Sequence, residues 1–390
     1  MKNKLIYFIL LFLFIFKSYS NTEKKIIVGS ERLDQYYELI KNKSVGLLVN
    51  HTSMIANNHL IDVLLSQEIN VSKIFTPEHG FKGNIERGKS INNDELLISN
   101  KKIPIISMYG KNRIPSIENL ENIDVIIYDI QDVGARFYTY LSAMHNMMKL
   151  CAQLKIQFIV LDRPNPNGHY VDGPILEEEY KSYVGMHPIP IVHGCTLGEM
   201  AQMIKGENWI QSTNDLDLKI IKVKNWNHTV KYKIPIKPSP NLPNQQSILL
   251  YPSLCLFEPT IVSIGRGTKS PFQVIGHPKY ETKEFSFVPK SVEAESKPKF
   301  LNQICYGINL VNSKVESKID LKYLIMFYNS LNKNSIDFFG KNFHKIAGNK
   351  KLEEQIKSGI SEKEIRNSWL PGINKYKTMR KKYLLYKDFE

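Results

Sequence analysis

Val125-Ile-Ile-Tyr-Asp-Ile-Gln-Asp-Val-Gly-Ala-Arg-Phe-Tyr-Thr-Tyr140 begins as an unbroken apolar, β-branched run, passes through a knot of polar side chains and ends at the start of a long apolar helical period. A run of that kind is expected as a strand buried on both faces, because a half-exposed strand alternates polar with apolar residues. The same succession recurs on either side of it. Strand candidates are Val45–Asn50, Ser72–Thr76, Ile103–Met108, Val125–Ile130, Phe158–Asp162, Ile189–His193 and Leu218–Val223. Helical periods over Leu60–Ser66, Ile117–Asn122, Phe137–Leu154 and Leu197–Ile204 lie between them. Buried strands alternating with helices make βαβ units, so the fold class is α/β: a Rossmann-like, doubly wound parallel sheet. Such a sheet gathers its loops over a crevice at the carboxyl ends of its strands, and ligands bind there.

The pattern changes after about Lys237. Pro238-Ser-Pro-Asn-Leu-Pro243 is a hinge, since proline continues neither a helix nor a central strand. Beyond it come strand-like runs at Ile248–Tyr251, Thr260–Ile264 and Phe272–Ile275, then helical periods, one opened by the capping box Ser361-Glu-Lys-Glu364. The expected division is a Rossmann-like catalytic domain over 21–237 and a smaller α+β domain over 238–390.

The first twenty residues are a signal peptide by pattern. Lys2 and Lys4 precede the apolar run Leu5 to Phe16, and Ser18 and Ser20 suit a signal peptidase cutting after Ser20. That run is shorter than the roughly 20 residues a spanning helix needs, so no stable membrane span is expected after cleavage and the mature chain is exported, periplasmic or secreted. Retention of the segment as an uncleaved anchor is the lesser alternative. Cys151, Cys195, Cys255 and Cys305 are scattered and form no CxxC pair, which argues for buried thiols over a disulfide or zinc scaffold. The formal charge of +14 falls by three with Lys2, Lys4 and Lys17. The remaining lysines are dispersed, without the basic, aromatic-laced patch that nucleic-acid binding wants, so the basic balance fits a modest attraction to anionic cell-wall material.

Four strand ends stop on polar clusters: Asn50-His-Thr-Ser53, Pro77-Glu-His-Gly80, Asp129-Ile-Gln-Asp132 with Gly134 and Arg136, and Asp162-Arg-Pro-Asn165-Pro-Asn167-Gly168. By the crevice rule they should converge, and carboxylates, an arginine and amides together suit an oxygen-rich ligand such as a sugar. Asp and Asn at strand ends commonly form turns and helix caps. Glu78 is a poor turn former set between Pro77 and His79-Gly80, where a rigid loop would aim it as a general acid, and apolar walls would keep it protonated. A glycosidase pairs that acid with a second carboxylate, for which Asp129 and Asp132 are the nearest candidates. Alternatively, a 2-acetamido group of the substrate acts as internal nucleophile. Binding candidates are Asn50, His51, Ser53, His79, Arg136, Tyr138, Asp162, Arg163, Asn165, His193, Asn241 and Arg266. Arg136 could hold a substrate carboxylate or bridge Asp132; Tyr138 and Tyr140 could floor a sugar ring or fill the core.

Tyr128-Asp-Ile-Gln-Asp-Val-Gly-Ala-Arg-Phe-Tyr-Thr-Tyr140, Leu161-Asp-Arg-Pro-Asn-Pro-Asn-Gly168, Pro77-Glu-His-Gly80, Pro238-Ser-Pro-Asn241 and Gly265-Arg-Gly-Thr268 resemble the NamZ family of exo-β-N-acetylmuramidases over essentially the whole mature chain. The resemblance implies a Rossmann-like domain and a smaller domain with the active-site cleft between them. It further implies release of non-reducing terminal N-acetylmuramic acid from MurNAc-GlcNAc or short peptidoglycan glycans, without a cofactor. Glu78 falls at the family's proposed catalytic glutamate. Two departures stand out: Ile264 replaces a glutamate that many relatives carry before Gly265-Arg-Gly-Thr268, and Glu258 is followed by Pro259.

Three other readings compete. A metal-dependent hydrolase could use His51, His79, His187 and His193 with Asp129 and Asp132, although no HExxH spacing occurs. A non-catalytic wall-binding protein could use the same cleft. A nucleotide-binding role lacks the GxGxxG or GxxxxGK that should follow the first strand.

Overall fold

The computed structural model describes residues 24–89, 91–98, 101–111, 113–332 and 337–390; the expected signal peptide lies outside the described residues. The main sheet has seven strands: β1 Ser44–Val49, β2 Asn70–Thr76, β3 Asp94–Ile98, β4 Lys101–Ser107, β5 Val125–Asp129, β6 Gln157–Leu161 and β7 Leu218–Ile221. Their spatial order is β3-β4-β2-β1-β5-β6-β7, parallel throughout except for β3, which runs antiparallel to β4. The chain winds outward from β1 through β2 to β4, returns to the other side of β1 as β5, and winds outward again through β6 to β7. That reversal between β1 and β5 is the doubly wound topology. Helices α1 Leu60–Ser66, α2 Tyr140–Leu154 and α3 Leu197–Gly206 carry the crossovers.

Successive strand residues face opposite ways, and both faces are covered. Val45, Leu47, Val49, Val125, Ile127, Ile159 and Leu161 pack with Leu60, Ile61 and Leu64 of α1 on one side. Leu48, Ile126, Tyr128, Phe158 and Val160 pack with α2 and α3 on the other. This second core runs on past the sheet, through Leu250 and Leu254 of α4 Gln245–Leu254, Phe327 and Leu331 of α5 Lys322–Asn332, and Ile365, Trp369 and Tyr376 of α6 Glu362–Arg380. A small antiparallel sheet, β8 Val274–His277, β9 Ser286–Phe287 and β10 Cys305–Asn309 in the order β8-β10-β9, completes the C-terminal lobe. No helix among the described residues is long and apolar enough to cross a membrane.

Several segments depart from expectation. Ile189–His193 is extended but joins no sheet; Val192 makes only single bridges to Ala135 and Asp172. Pro188 and Pro190 have no N–H to give to a ladder. Ile248–Tyr251 is helical, part of α4, which Asn244 opens by accepting from the Ser247 amide at 3.0 Å. A four-residue apolar run is too short to carry a period of its own. Thr260–Ile264 makes isolated bridges only, at Thr260 and Ser263, and Ile117–Asn122 shrinks to a single 3-10 turn, Ile117–Leu120. The capping box of Ser361 and Glu364 opens α6 as its spacing indicates.

Candidate active site

A cleft of about 290 Å³ lies between the carboxyl ends of β2, β4 and β5 and the C-terminal lobe. Glu78 enters it from the turn after β2. Pro77 ends the strand by removing a ladder donor, and the Gly80 amide closes the turn on the Pro77 carbonyl at 3.1 Å. His79, inside this turn, is held at φ +72°, a left-handed conformation that a side chain adopts only where its surroundings enforce it. They do: the ring Nδ1–H donates to the Ile85 carbonyl at 2.7 Å. Burial is the main cause that lowers the His79 pKa, so the ring stays neutral with its proton on Nδ1.

Glu78 accepts a 2.7 Å hydrogen bond from Thr139 Oγ1. Tyr109, just past β4, is hydrogen-bonded to the same carboxylate; burial first, then the charge of Glu78, raises its phenol well above the ordinary value. Tyr138 and Tyr140 both donate to the Pro238 carbonyl at 3.1 Å, which ties the β5 loop to the hinge. With Tyr251 and Phe272 these rings form a continuous wall: Tyr138 meets Tyr251 edge-on at 5.8 Å, and Tyr251 meets Phe272 at 5.0 Å. Hydroxyls as well as apolar surface therefore surround Glu78.

The opposite wall is charged. Glu258 is bound by Arg266, with Nε at 2.8 Å, and by Arg87 at 3.3 Å. Glu295 joins the same two guanidiniums, at 3.5 and 3.1 Å. Although burial opposes ionisation, these arginines hold the Glu258 carboxyl down at about 2. Asn241 lines the cleft while donating to the Ala294 carbonyl at 3.0 Å.

Of the residues singled out in the sequence, Glu78, His79, Tyr138, Asn241 and Arg266 line this cleft, and Tyr140 with them. The remaining candidates do not. Asp129 is wholly buried and clasped by Arg163 through Nε at 2.5 Å and Nη2 at 2.9 Å, while the same Nη2 also reaches Ser30 and the Met54 carbonyl. Asp132 turns inward and accepts from the Gly134 amide at 2.6 Å; burial pushes its carboxyl up to about 7. Neither aspartate is a wall of the cleft. Asn50 accepts from Thr52, and Ser53 donates to the Asp129 carbonyl, so the cluster after β1 knits itself to the cluster after β5. His51 donates to the Lys237 carbonyl at 2.8 Å.

Arg136 is neither a carboxylate receptor nor the partner of Asp132. It is buried and donates to the carbonyls of Pro174, Ile189, Ile346 and Ala347 at 2.8 to 3.0 Å, fastening the two lobes. Asp162 accepts from Thr196, the Gly198 amide and the Tyr386 hydroxyl, which anchors the end of the chain. Asn165 donates to the Cys195 carbonyl, and His193, buried and held neutral, accepts from the Cys195 amide while its own carbonyl accepts from Tyr376. His187 is paired with His145 at 2.9 Å. The four histidines weighed as metal ligands thus serve four different partners. Burial explains the common fate: a polar group shut away from water is costly without a hydrogen bond, and most of these bond to nearby backbone or to one another, although Asp132 Oδ2 and His193 Nε2 find no partner among the described residues.

Thr139, Tyr109, Arg113, Tyr183, Arg87 and Glu258 line the cleft without having been singled out as site residues. Tyr109 carries the same signal as the others, a polar residue just after a strand; Arg113, six positions past the end of β4, carries no such local mark. The cleft is displaced from the β1/β5 switch point toward β2 and β4, which is why the loop after β4 matters more than the loop after β6.

The family described as exo-β-N-acetylmuramidase NamZ matches through its N-terminal part over residues 45–246 and its C-terminal part over residues 249–386. Peptidoglycan β-N-acetylmuramidase NamZ of Bacillus subtilis is 34% identical, over 95% of this chain and 94% of that protein. Crystal structures of two DUF1343 family proteins of Bacteroides fragilis share the fold. One has a TM-score of 0.85 at 45% identity and the other 0.78 at 26%, each covering 93% of this chain and 99% of its own. Two family matches that together span nearly all of the described chain, and a relative similar from end to end, mean that this protein belongs to the NamZ family of exo-β-N-acetylmuramidases.

Proposed function

We propose that the chain is an exported glycoside hydrolase that removes N-acetylmuramic acid from the non-reducing ends of peptidoglycan fragments, with Glu78 as the acid. The observation that carries the residue assignment is the seat of Glu78: a carboxyl on a rigid turn, oriented by Thr139 and Tyr109, facing an aromatic wall. The reaction itself is supported by the named activity of the Bacillus relative. Export is supported by Lys2, Lys4 and the apolar run that follows.

In this reading Glu78 gives its proton to the glycosidic oxygen as the C1–O bond breaks, and the aromatic wall carries the apolar face of the sugar. Among the described residues the cleft's other carboxylate is Glu258, and two arginines occupy it. That favours the substrate's 2-acetamido oxygen as the nucleophile: it bonds to C1, and Glu78, now ionised, takes a proton from the water that later opens the ring so formed. The test is incubation of the mature chain with MurNAc-GlcNAc and with GlcNAc-terminated fragments, followed by mass analysis. Release of MurNAc alone is expected. Release of GlcNAc, or no release, overturns the reading.

A further inference from the structure

Three arginines line the cleft, and two are already neutralised. Arg87 and Arg266 share Glu258 and Glu295, so neither guanidinium has charge to spare for a ligand. Arg113 differs. It is exposed at the cleft and forms no ion pair among the described residues, and its guanidinium carbon lies 4.5 Å over the Tyr183 ring. Contact with the ring holds the guanidinium at the cleft, and no acid among the described residues forms an ion pair with it; a guanidinium binds a carboxylate through two parallel hydrogen bonds. The backbone is fixed too, because the buried Asn146 of α2 donates to the Arg113 carbonyl at 3.0 Å. Tyr109 and Tyr183 each feel the charges of Glu78 and Arg113 together, so acid and cation belong to one end of the cleft.

We infer that Arg113 is a specificity-determining residue that receives the lactyl carboxylate on O3 of the terminal sugar and so separates N-acetylmuramic acid from N-acetylglucosamine. The inference rests on the muramidase reading above. Its chemistry is simple: the two sugars differ by one ether-linked carboxylate, attached about a ring's width from the scissile bond at C1, and an unpaired cation near the acid is the group that tells them apart.

The test uses the purified chain with three chromogenic β-glycosides: of N-acetylmuramic acid, of its lactyl methyl ester, and of N-acetylglucosamine. Wild type should favour the free acid over the ester by about 10- to 100-fold in kcat/KM. Arg113→Gln should lose that preference, mainly through KM for the free acid, with a much smaller change for the ester. Arg113→Lys, which keeps the charge without the fork, should fall between. An equal loss on acid and ester, or an undiminished preference for the acid in Arg113→Gln, overturns the role of Arg113. The acid-over-ester ratio of wild type is a second arm that needs no variant to fold, and parity there also overturns it. Wild type that hydrolyses none of the three overturns the muramidase reading itself, a separate result.

Discussion

Thr139 Oγ1 donates to Glu78 Oε2 at 2.7 Å from the N-cap position of α2, where a threonine hydroxyl ordinarily serves its own helix. The helix gives up a cap, and the acid gains an orientation. Glu78→Gln keeps the shape but has no proton to transfer, so turnover of a chromogenic N-acetylmuramide should fall by about 10² to 10⁴ while the thermal midpoint stays close to wild type. Thr139→Val removes one orienting bond, for a loss of about 1 kcal/mol, or roughly fivefold in rate. Full turnover in Glu78→Gln would remove it as the acid.

Asp129 and Arg163 form a buried pair remote from the cleft wall, and their contribution should be to stability. Replacing Asp129 by Ala strands a buried guanidinium, with an expected cost of about 3–5 kcal/mol in denaturant unfolding. Activity per folded molecule should hold, whereas a catalytic aspartate would lose turnover without losing stability.

Asp132 makes stability depend on pH with an unusual sign. Its folded pKa of about 7 lies above the ordinary 3.8, so between those values the native state binds more protons than the unfolded chain. Stability from this group therefore declines as pH rises from about 4 to about 7, by a few kcal/mol at most, and levels off above. Asp132→Asn removes the titration, and its stability relative to wild type should climb over the same interval. His145 and His193, lowered by burial to about 4 and about 3, act in the opposite direction in both proteins and cancel from the difference. A pH-independent difference between the two proteins would contradict the account.

Arg136 gives four hydrogen bonds to backbone carbonyls and meets no carboxylate. Arg136→Met leaves those carbonyls without their donor and should cost at least about 3 kcal/mol. Acid-over-ester selectivity should survive in the folded fraction. That separates its role from that of Arg113, where selectivity should move and stability should not.

The strands around the site were legible because burial on both faces of a parallel sheet leaves continuous apolar runs such as Val125–Asp129, and a helical period such as α2 is long enough to declare itself. The C-terminal lobe was less so. Its apolar segments are short, and α4 was indistinguishable from a strand until its cap and its packing partners were in place. Glu78 stood out because Pro77 and Gly80 bracket it. Arg113 did not, because nothing local marks a lone arginine; its meaning comes from Tyr183, seventy positions on, and from the absence of an acid beside it among the described residues.

The sequence by itself determined the doubly wound sheet, the polar strand ends and the acid on its turn, since each is dictated by local periodicity or by the backbone limits of proline and glycine. Which strand ends meet a ligand was decided only in three dimensions. Asn50, Asp129, Asp132, Asp162 and Arg163 look as functional as Glu78 along the chain, yet they are buried away from the cleft, and most of their polar atoms are taken up by partners within the protein. Glu78 and Arg113 are the acid and the unpaired cation that folding leaves among the groups facing the cleft.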